Sequence, residues 1–343
     1  MRVWSSRFAV GGGRIIPSRK PPTTHSIVAL VLVVACGGGS TEPAKPATDG
    51  NTNSGTTVPE VPAGPFTLGS TYTDPDGWIE YQPGTAPLIL IAPHGGTLTP
   101  ANLPDRTCSG CETVNDLNTQ ELARVIVDSF TARTGKRPHL VVNRLHRRKF
   151  DGNRDVAEAT GGFAGLERAW RWLHAYIDTA KSAIVRSPGK GLVIDMHGHA
   201  HAVVRLEIGY LLTATQLRLD NATLSAGNAM NQSSIARMTR DAFAGEAPVA
   251  LLNGANSLGG LLVAAGLPSV PSPTDRAPLT GQDYFSGGYN TERHGSLLSG
   301  TIDAIQIEHY NTGIRDSQMN REVYAGVLTT ALLKYLERNY GWR

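Results

Sequence analysis

Short apolar runs that stop abruptly at polar, glycine-containing motifs constrain this chain more than any other feature. Leu88–Ala92 runs into Pro93-His94-Gly95-Gly96, residues 192–194 into Asp195-Met196-His197-Gly198-His199, and residues 302–305 into Gln306-Ile307-Glu308-His309. Short apolar runs of this kind predict strands buried on both faces. Residues 140–142 and 203–212 predict two more, the second less buried. Between them, residues 117–134, 165–185 and 321–338 carry apolar side chains at helical spacing, with Gly135 and Ser187-Pro188-Gly189 as stops for the first two. Residues 233–243 read as a further helix. Strands alternating with helices predict an α/β fold in three layers: a mostly parallel or mixed central sheet with helices on both faces.

In such a sheet ligands bind beyond the carboxyl ends of the strands, which is where the polar motifs fall. His94 follows one strand and His197 another. Asp195 shares a face with His197 and can orient its imidazole. Two histidines converging on one crevice suggest a metal, since exported catalytic zinc sites commonly use two His, one carboxylate and a water. His199 and His201 are rival ligands. Glu112, Asp116 and Glu121 are candidates for the carboxylate, with Asp116 foremost; its other reading is a plain helix N-cap. Glu308 at a strand end is either a buried salt bridge with Arg315 or Arg293, or a general base beside the metal. The basic stretch 143–155 holds Arg144, Asn153 and Arg154, a solvated surface or a fork of donors for a substrate carboxylate. Tyr289, Asn290, Arg293 and His294 can supply an oxyanion donor or close on a substrate. Residues 268–288, rich in Pro, Gly and Ser, read as a loop able to cover a site.

In order, Pro-His-Gly-Gly, Asp-x-Asn-Arg, Asp-x-His-Gly and Gln-x-Glu resemble the motifs of the N-formylglutamate amidohydrolases, a family similar in site and fold to the zinc carboxypeptidases. The resemblance spans about residues 88–315. It implies a phosphorylase/hydrolase-like fold and one zinc ion (Zn2+) held by His94, His197 and an acid between them. It further implies Glu308 as base, with Asn153 and Arg154, or Arg144, gripping the carboxylate of an N-acyl amino acid or short peptide. The chain departs from the carboxypeptidase pattern in placing its acid about 20 residues after the first histidine. The extra histidines 199 and 201 and a Cys-x-x-Cys pair are also unlike the amidohydrolases. The other reading is a surface lipoprotein that keeps the fold and binds a carboxylated ligand without chemistry.

Arg2, Arg7, Arg14, Arg19 and Lys20 precede an apolar run that ends in Val33-Val34-Ala35-Cys36, the layout of a lipoprotein signal peptide. Residues 1–35 then form a leader, Cys36 the lipidated residue, residues 36–65 a flexible tether, and residues 66–343 one folded domain in the bacterial cell envelope. Loss of the leader takes the formal charge from +3 to −2. No Lys/Arg stripe or aromatic platform points to nucleic acid, and the membrane is reached through the lipid alone. Cys108 and Cys111 fit a small structural disulfide, as expected of an exported chain; thiol redox chemistry is the lesser alternative.

Overall fold

The computed structural model describes residues 60–226, 228–241 and 247–343. The leader, Cys36 and the tether up to residue 59 lie outside the described residues. Among those described, one mixed sheet contains β1 (Tyr72–Thr73), β2 (Ile79–Gln82), β3 (Leu88–Ala92), β4 (His139–Asn143), β5 (Gly191–Gly198), β6 (Leu206–Gly209), β7 (Ser269–Val270) and β8 (Ile302–His309). Their spatial order is β1-β2-β4-β3-β5-β8-β6-β7. β4, β3, β5 and β8 are mutually parallel. β2 and β6 pair antiparallel to the two edges of that block. From β3 the chain passes to β4 on one side and then to β5 on the other, so β3 marks a topological switch point, where a crevice opens at the carboxyl ends.

Alternation along the strands builds two cores. Leu88 and Leu90 of β3, Leu192 and Ile194 of β5, and Ile305 and Ile307 of β8 face helix α1 (Thr119–Thr134) and the C-terminal helix Gln318–Tyr340. Ile89, Ile91, Val193 and Ala304 point the other way. After the short helix α2 (Val156–Thr160), helix α3 (Ala164–Arg186) covers that face with Leu166, Ala169, Leu173, Tyr176, Ile177 and Ala180. Burial of each large apolar side chain contributes about 1.5–3 kcal/mol, which makes these two layers the principal source of cohesion. No helix among the described residues is long and apolar enough to cross a membrane.

The sequence-based reading differs from the structure in places. Helix α1 starts at Thr119, not residue 117, because Asn118 lies in the left-handed region at φ 63°. Where residues 233–243 were expected to be helical, the described part is helical only over Ala236–Arg240, and residues 242–243 lie outside the described residues. There Ser234 accepts from the Ser296 and Ala304 amides and donates to the Tyr210 carbonyl, bonds that leave the helix ladder for the sheet. The antiparallel extension β1–β2 was not foreseen, since Tyr, Glu and Gln interrupt its apolar run.

Candidate metal centre

Beyond Ala92, Pro93 brings His94 to the carboxyl edge of the sheet beside β5. Gly96 permits this turn: a Cβ there would lie 2.3 Å from the Arg144 carbonyl carbon. On β5, Val193, Asp195 and His197 share one face. The β5–β8 register pairs Asp195 with Gln306 and His197 with Glu308. The β6–β8 register adds Glu207 beside Glu308. The sheet face that is apolar under α3 therefore turns polar where the strands reach the crevice.

Each histidine is held at its Nε2. That of His94 lies 2.6 Å from Asp151 Oδ1, and that of His197 lies 2.9 Å from Asp195 Oδ2. Lone pairs cannot face each other at such distances, so Nε2 carries the proton in both rings, and each Nδ1 is left with a lone pair. These Nδ1 atoms are 3.1 Å apart, and Asp116 Oδ2 stands 3.3 Å from that of His94 and 3.1 Å from that of His197. Three electron-rich atoms on such a triangle repel unless a cation lies among them. Ligand atoms bonded at about 2.0 Å in tetrahedral geometry sit roughly 3.3 Å apart, so the donor set fits a zinc-sized ion. His94, Asp116 and His197 are all buried.

Electrostatics point the same way. Burial disfavours charge on His197, but Asp195 and Asp116 outweigh it and hold the imidazole well above its usual pKa. Burial likewise opposes ionisation of Asp116, and His94 and His197 overcome it, keeping the carboxyl below its usual range. The position is thus built to hold positive charge against a buried carboxylate. Asp151, also kept low by His94 and Arg147 against burial, receives Arg147 Nε at 3.0 Å. Arg147 reaches Asp116 Oδ1 at 3.3 Å as well, so one guanidinium braces both acids.

Glu308 is a different kind of group. Its Oε1 accepts from Gln306 Nε2 at 2.9 Å, whereas its Oε2 is buried with no hydrogen-bond partner among the described residues. Burial pushes its pKa up to about 8, with Asp116 and Glu207 adding to the rise and His197 opposing it. A cation among the neighbouring donors would also oppose the rise, moving the group toward the neutral range in which a general base works best. The expected salt bridge to Arg315 is not formed. Arg315 instead donates to the carbonyls of His309, Leu117 and His199.

A cavity of about 650 Å³ opens onto these groups, with Arg154, Asn153, His201 and Phe285 in its walls. Phe285, Gly287 and Gly288 bring the 268–288 loop to its rim. Asn153 is committed to the frame: its Oδ1 accepts from the Asn290 amide at 2.7 Å. Arg154 bonds Glu158, a pair about one-third exposed on both sides.

Not every sequence candidate reaches the cavity. Arg144 donates to the Gly77 carbonyl, Tyr289 packs on His174 and Trp170, and Arg293 stacks over Trp170. Arg144 and Tyr289 are thus turned to the protein frame and Arg293 to an aromatic face, all outside the cavity lining. Asp116 is no N-cap; that position belongs to Asn118. Cys108 and Cys111 are disulfide-bonded, with Cα atoms 5.5 Å apart. Sequence reasoning missed Asp151 as the partner of His94, along with Arg147 and the clamp made by Arg315. Asp151 stood within a recognised motif, but nothing in its spacing indicates which strand end its loop meets.

The chain matches no protein-family model and no curated protein. Among solved structures, a gene product of Agrobacterium tumefaciens is 16% identical, aligned over 74% of this chain and 93% of its own, with a TM-score of 0.43. An N-formylglutamate amidohydrolase from Ralstonia eutropha is 12% identical over 77% and 98% of the two chains, also at 0.43. A candidate metallopeptidase from Shewanella amazonensis is 12% identical over 76% and 81%, at 0.34. Likenesses this distant say nothing about activity, which is left to the geometry of the site.

Proposed function

We propose that this protein is a zinc-dependent hydrolase, exported and lipid-anchored through Cys36, that cleaves an amide bond in an N-acyl amino acid or a short peptide with a free carboxylate. The observation that carries this reading is the triangle of His94 Nδ1, His197 Nδ1 and Asp116 Oδ2, with sides of 3.1 to 3.3 Å, next to a carboxylate oxygen that has no partner. His94, His197 and Asp116 would hold the ion. When bound, zinc supplies Lewis acidity, polarising a carbonyl and making water a better nucleophile.

The remaining work falls to the chain itself. Asp151 and Asp195 fix the two imidazoles in the tautomer that presents Nδ1. Glu308, through its free Oε2, takes a proton from the attacking water. Of the arginines in the cavity wall, Arg147 is engaged by two buried acids and Arg315 by three carbonyls. Arg154 is held chiefly by a Glu158 about one-third exposed, a weak partner that a substrate carboxylate can displace. Binding the carboxylate there orients the acyl–nitrogen bond toward Glu308.

The test is elemental analysis of the purified protein beside His94→Ala and His197→Ala. One zinc per chain in the parent, lost in both variants, supports the centre and justifies a screen of N-acyl amino acids. A parent that takes up no metal after zinc is added rules the mechanism out and favours a carboxylate-binding protein without chemistry.

A further inference from the structure

Amide hydrolysis needs more than a base. The departing nitrogen is a poor leaving group unless it is protonated as the bond breaks, so a cavity built for this reaction gains from a proton donor distinct from the group that deprotonates water. The cavity wall contains a second histidine pair, His199 and His201, close to Glu207 and apart from the His94, Asp116 and His197 group.

Their spacing alone would admit a second metal ion. The hydrogen bonds argue otherwise. His199 Nε2 donates to the Arg205 carbonyl at 2.9 Å, and its Nδ1 accepts the His201 amide at 3.1 Å, so both ring nitrogens are occupied. That leaves His201 and Glu207, too few for a protein-held ion.

His201 and Glu207 form a different unit. His201 Nδ1 lies 2.9 Å from Glu207 Oε1. Glu207 is fully buried, and its other oxygen accepts the Phe285 amide at 2.8 Å. Phe285 also stacks on the His201 ring at 4.6 Å between centroids and 30° between planes. The imidazole is thus fixed in rotation by a stack and in tautomer by a buried carboxylate that is itself pinned. It lines the same cavity as His94, His197 and Glu308 and is still partly open to it. Glu207 and Glu308 are register neighbours on β6 and β8, which places the support of His201 beside the proposed base.

We infer that His201, held by Glu207, is the general acid that protonates the leaving nitrogen. This role rests on the amide-hydrolase reading above. As the water oxygen bonds to the acyl carbon, one water proton passes to Glu308. The carbon–nitrogen bond breaks while His201, acting as the imidazolium paired with Glu207, passes its Nε2 proton to the departing nitrogen, releasing a neutral amine and leaving a neutral ring with its proton on Nδ1. The proton on Glu308 returns through solvent to His201, and the products are the acid and the amine, with no other reagent consumed.

A leaving-group comparison tests this. N-acyl amino acids, which release an alkyl amine, are set against p-nitrophenyl esters of the same acyl groups, which leave without protonation. His201→Gln is expected to lower kcat on the amide by on the order of 100-fold while changing the ester rate by less than about threefold. Glu207→Gln, which keeps an acceptor for the Phe285 amide, should show the same pattern more weakly. Zinc content and thermal unfolding of both variants should match the parent; if His201→Gln fails to fold, His201→Asn and Glu207→Gln carry the comparison. A parent active on both substrates, with variants that slow both alike or neither, overturns the role of His201 alone. A parent that turns over neither brings down the hydrolase reading and this role with it.

Discussion

His197 and Glu308 occupy paired positions on the parallel strands β5 and β8 and face the same side of the sheet. One offers a lone pair to the candidate centre; the other presents a carboxylate oxygen that nothing in the described protein satisfies. A buried unpaired oxygen of this kind costs about 1–3 kcal/mol or more, and its retention at a strand end calls for a functional reason.

Glu308→Gln should therefore separate binding from chemistry. Glutamine keeps the shape and can still meet Gln306, and Glu308 is not one of the three donors around the candidate ion. Zinc content should stay at the parent level while turnover drops by on the order of 10²–10⁴-fold. Single-turnover kinetics alongside metal analysis checks both halves; parent-like turnover would remove Glu308 from the mechanism.

Asp151→Asn probes the support behind the first histidine. The carboxylate accepts from His94 at 2.6 Å and from Arg147 at 3.0 Å, and it is fully buried. Neutralising it weakens the hold on His94 and leaves Arg147 short of a counter-charge. Zinc affinity, read by competition with a chelator, should fall by about 10–100-fold. Stability should fall too, by about 3 kcal/mol in urea unfolding, the usual cost of breaking a buried pair. Unchanged zinc affinity would mean that Asp151 does not orient the ligand.

These residues were unequally legible in the sequence. His94, His197 and Glu308 stood out because an apolar run that ends in a polar side chain marks the carboxyl edge of a buried strand, and strand alternation tied Asp195 to His197. Asp116 was one acid among three, because no periodicity indicates how the segment before α1 doubles back on β3. Its place is set by bonds that no pattern records: its amide donates to the His94 carbonyl, and its Oδ2 accepts the Gly198 amide. Arg315 was read as a partner for Glu308 because charge suggests pairing, yet each of its three guanidinium nitrogens bonds a backbone carbonyl instead. The block β3, β4, β5 and β8 was readable from hydrophobicity; the register that aligns His197, Glu308 and Glu207 was not, since it depends on pairing between strands distant in sequence.

His139 should lose its contribution to stability with acid before Asp116 or Asp151 titrates. His139 Nδ1 accepts both the Gly84 amide at 3.1 Å and the Tyr81 hydroxyl at 2.9 Å, which leaves no room for a second ring proton. Burial lowers its pKa from 6.5 to about 4. Between these values the unfolded chain binds the proton and the folded one does not, so the contribution of His139 is full above pH 6.5 and is lost as the pH drops toward 4. The whole displacement corresponds to roughly 3 kcal/mol. Asp116 and Asp151, both held low, lose their contributions only at still lower pH. Urea midpoints across this range should fall less steeply with acid in His139→Gln than in the parent; equal slopes would assign the acid sensitivity elsewhere.

Gly198 and Gly326 should respond oppositely to alanine. A Cβ on Gly198 would lie 2.4 Å from Arg315 Cζ. That guanidinium is buried and tied to carbonyls just after β5, at the end of β8 and just before α1, so it has no easy path aside. Overpacking there should cost about 1–3 kcal/mol. Because the Gly198 amide also bonds Asp116 Oδ2 at 3.2 Å, zinc affinity should weaken in parallel. Gly326 lies within the C-terminal helix, and a Cβ there meets only Arg133 Nη2, at an ordinary 3.5 Å. Alanine at that position should stabilise by about 0.5–1 kcal/mol through helix propensity. Thermal melting of the two variants decides the matter: Gly198→Ala should melt below the parent and Gly326→Ala above it. A Gly198→Ala protein with parental melting and zinc affinity would show that Arg315 is free to move and does not clamp the wall of the site.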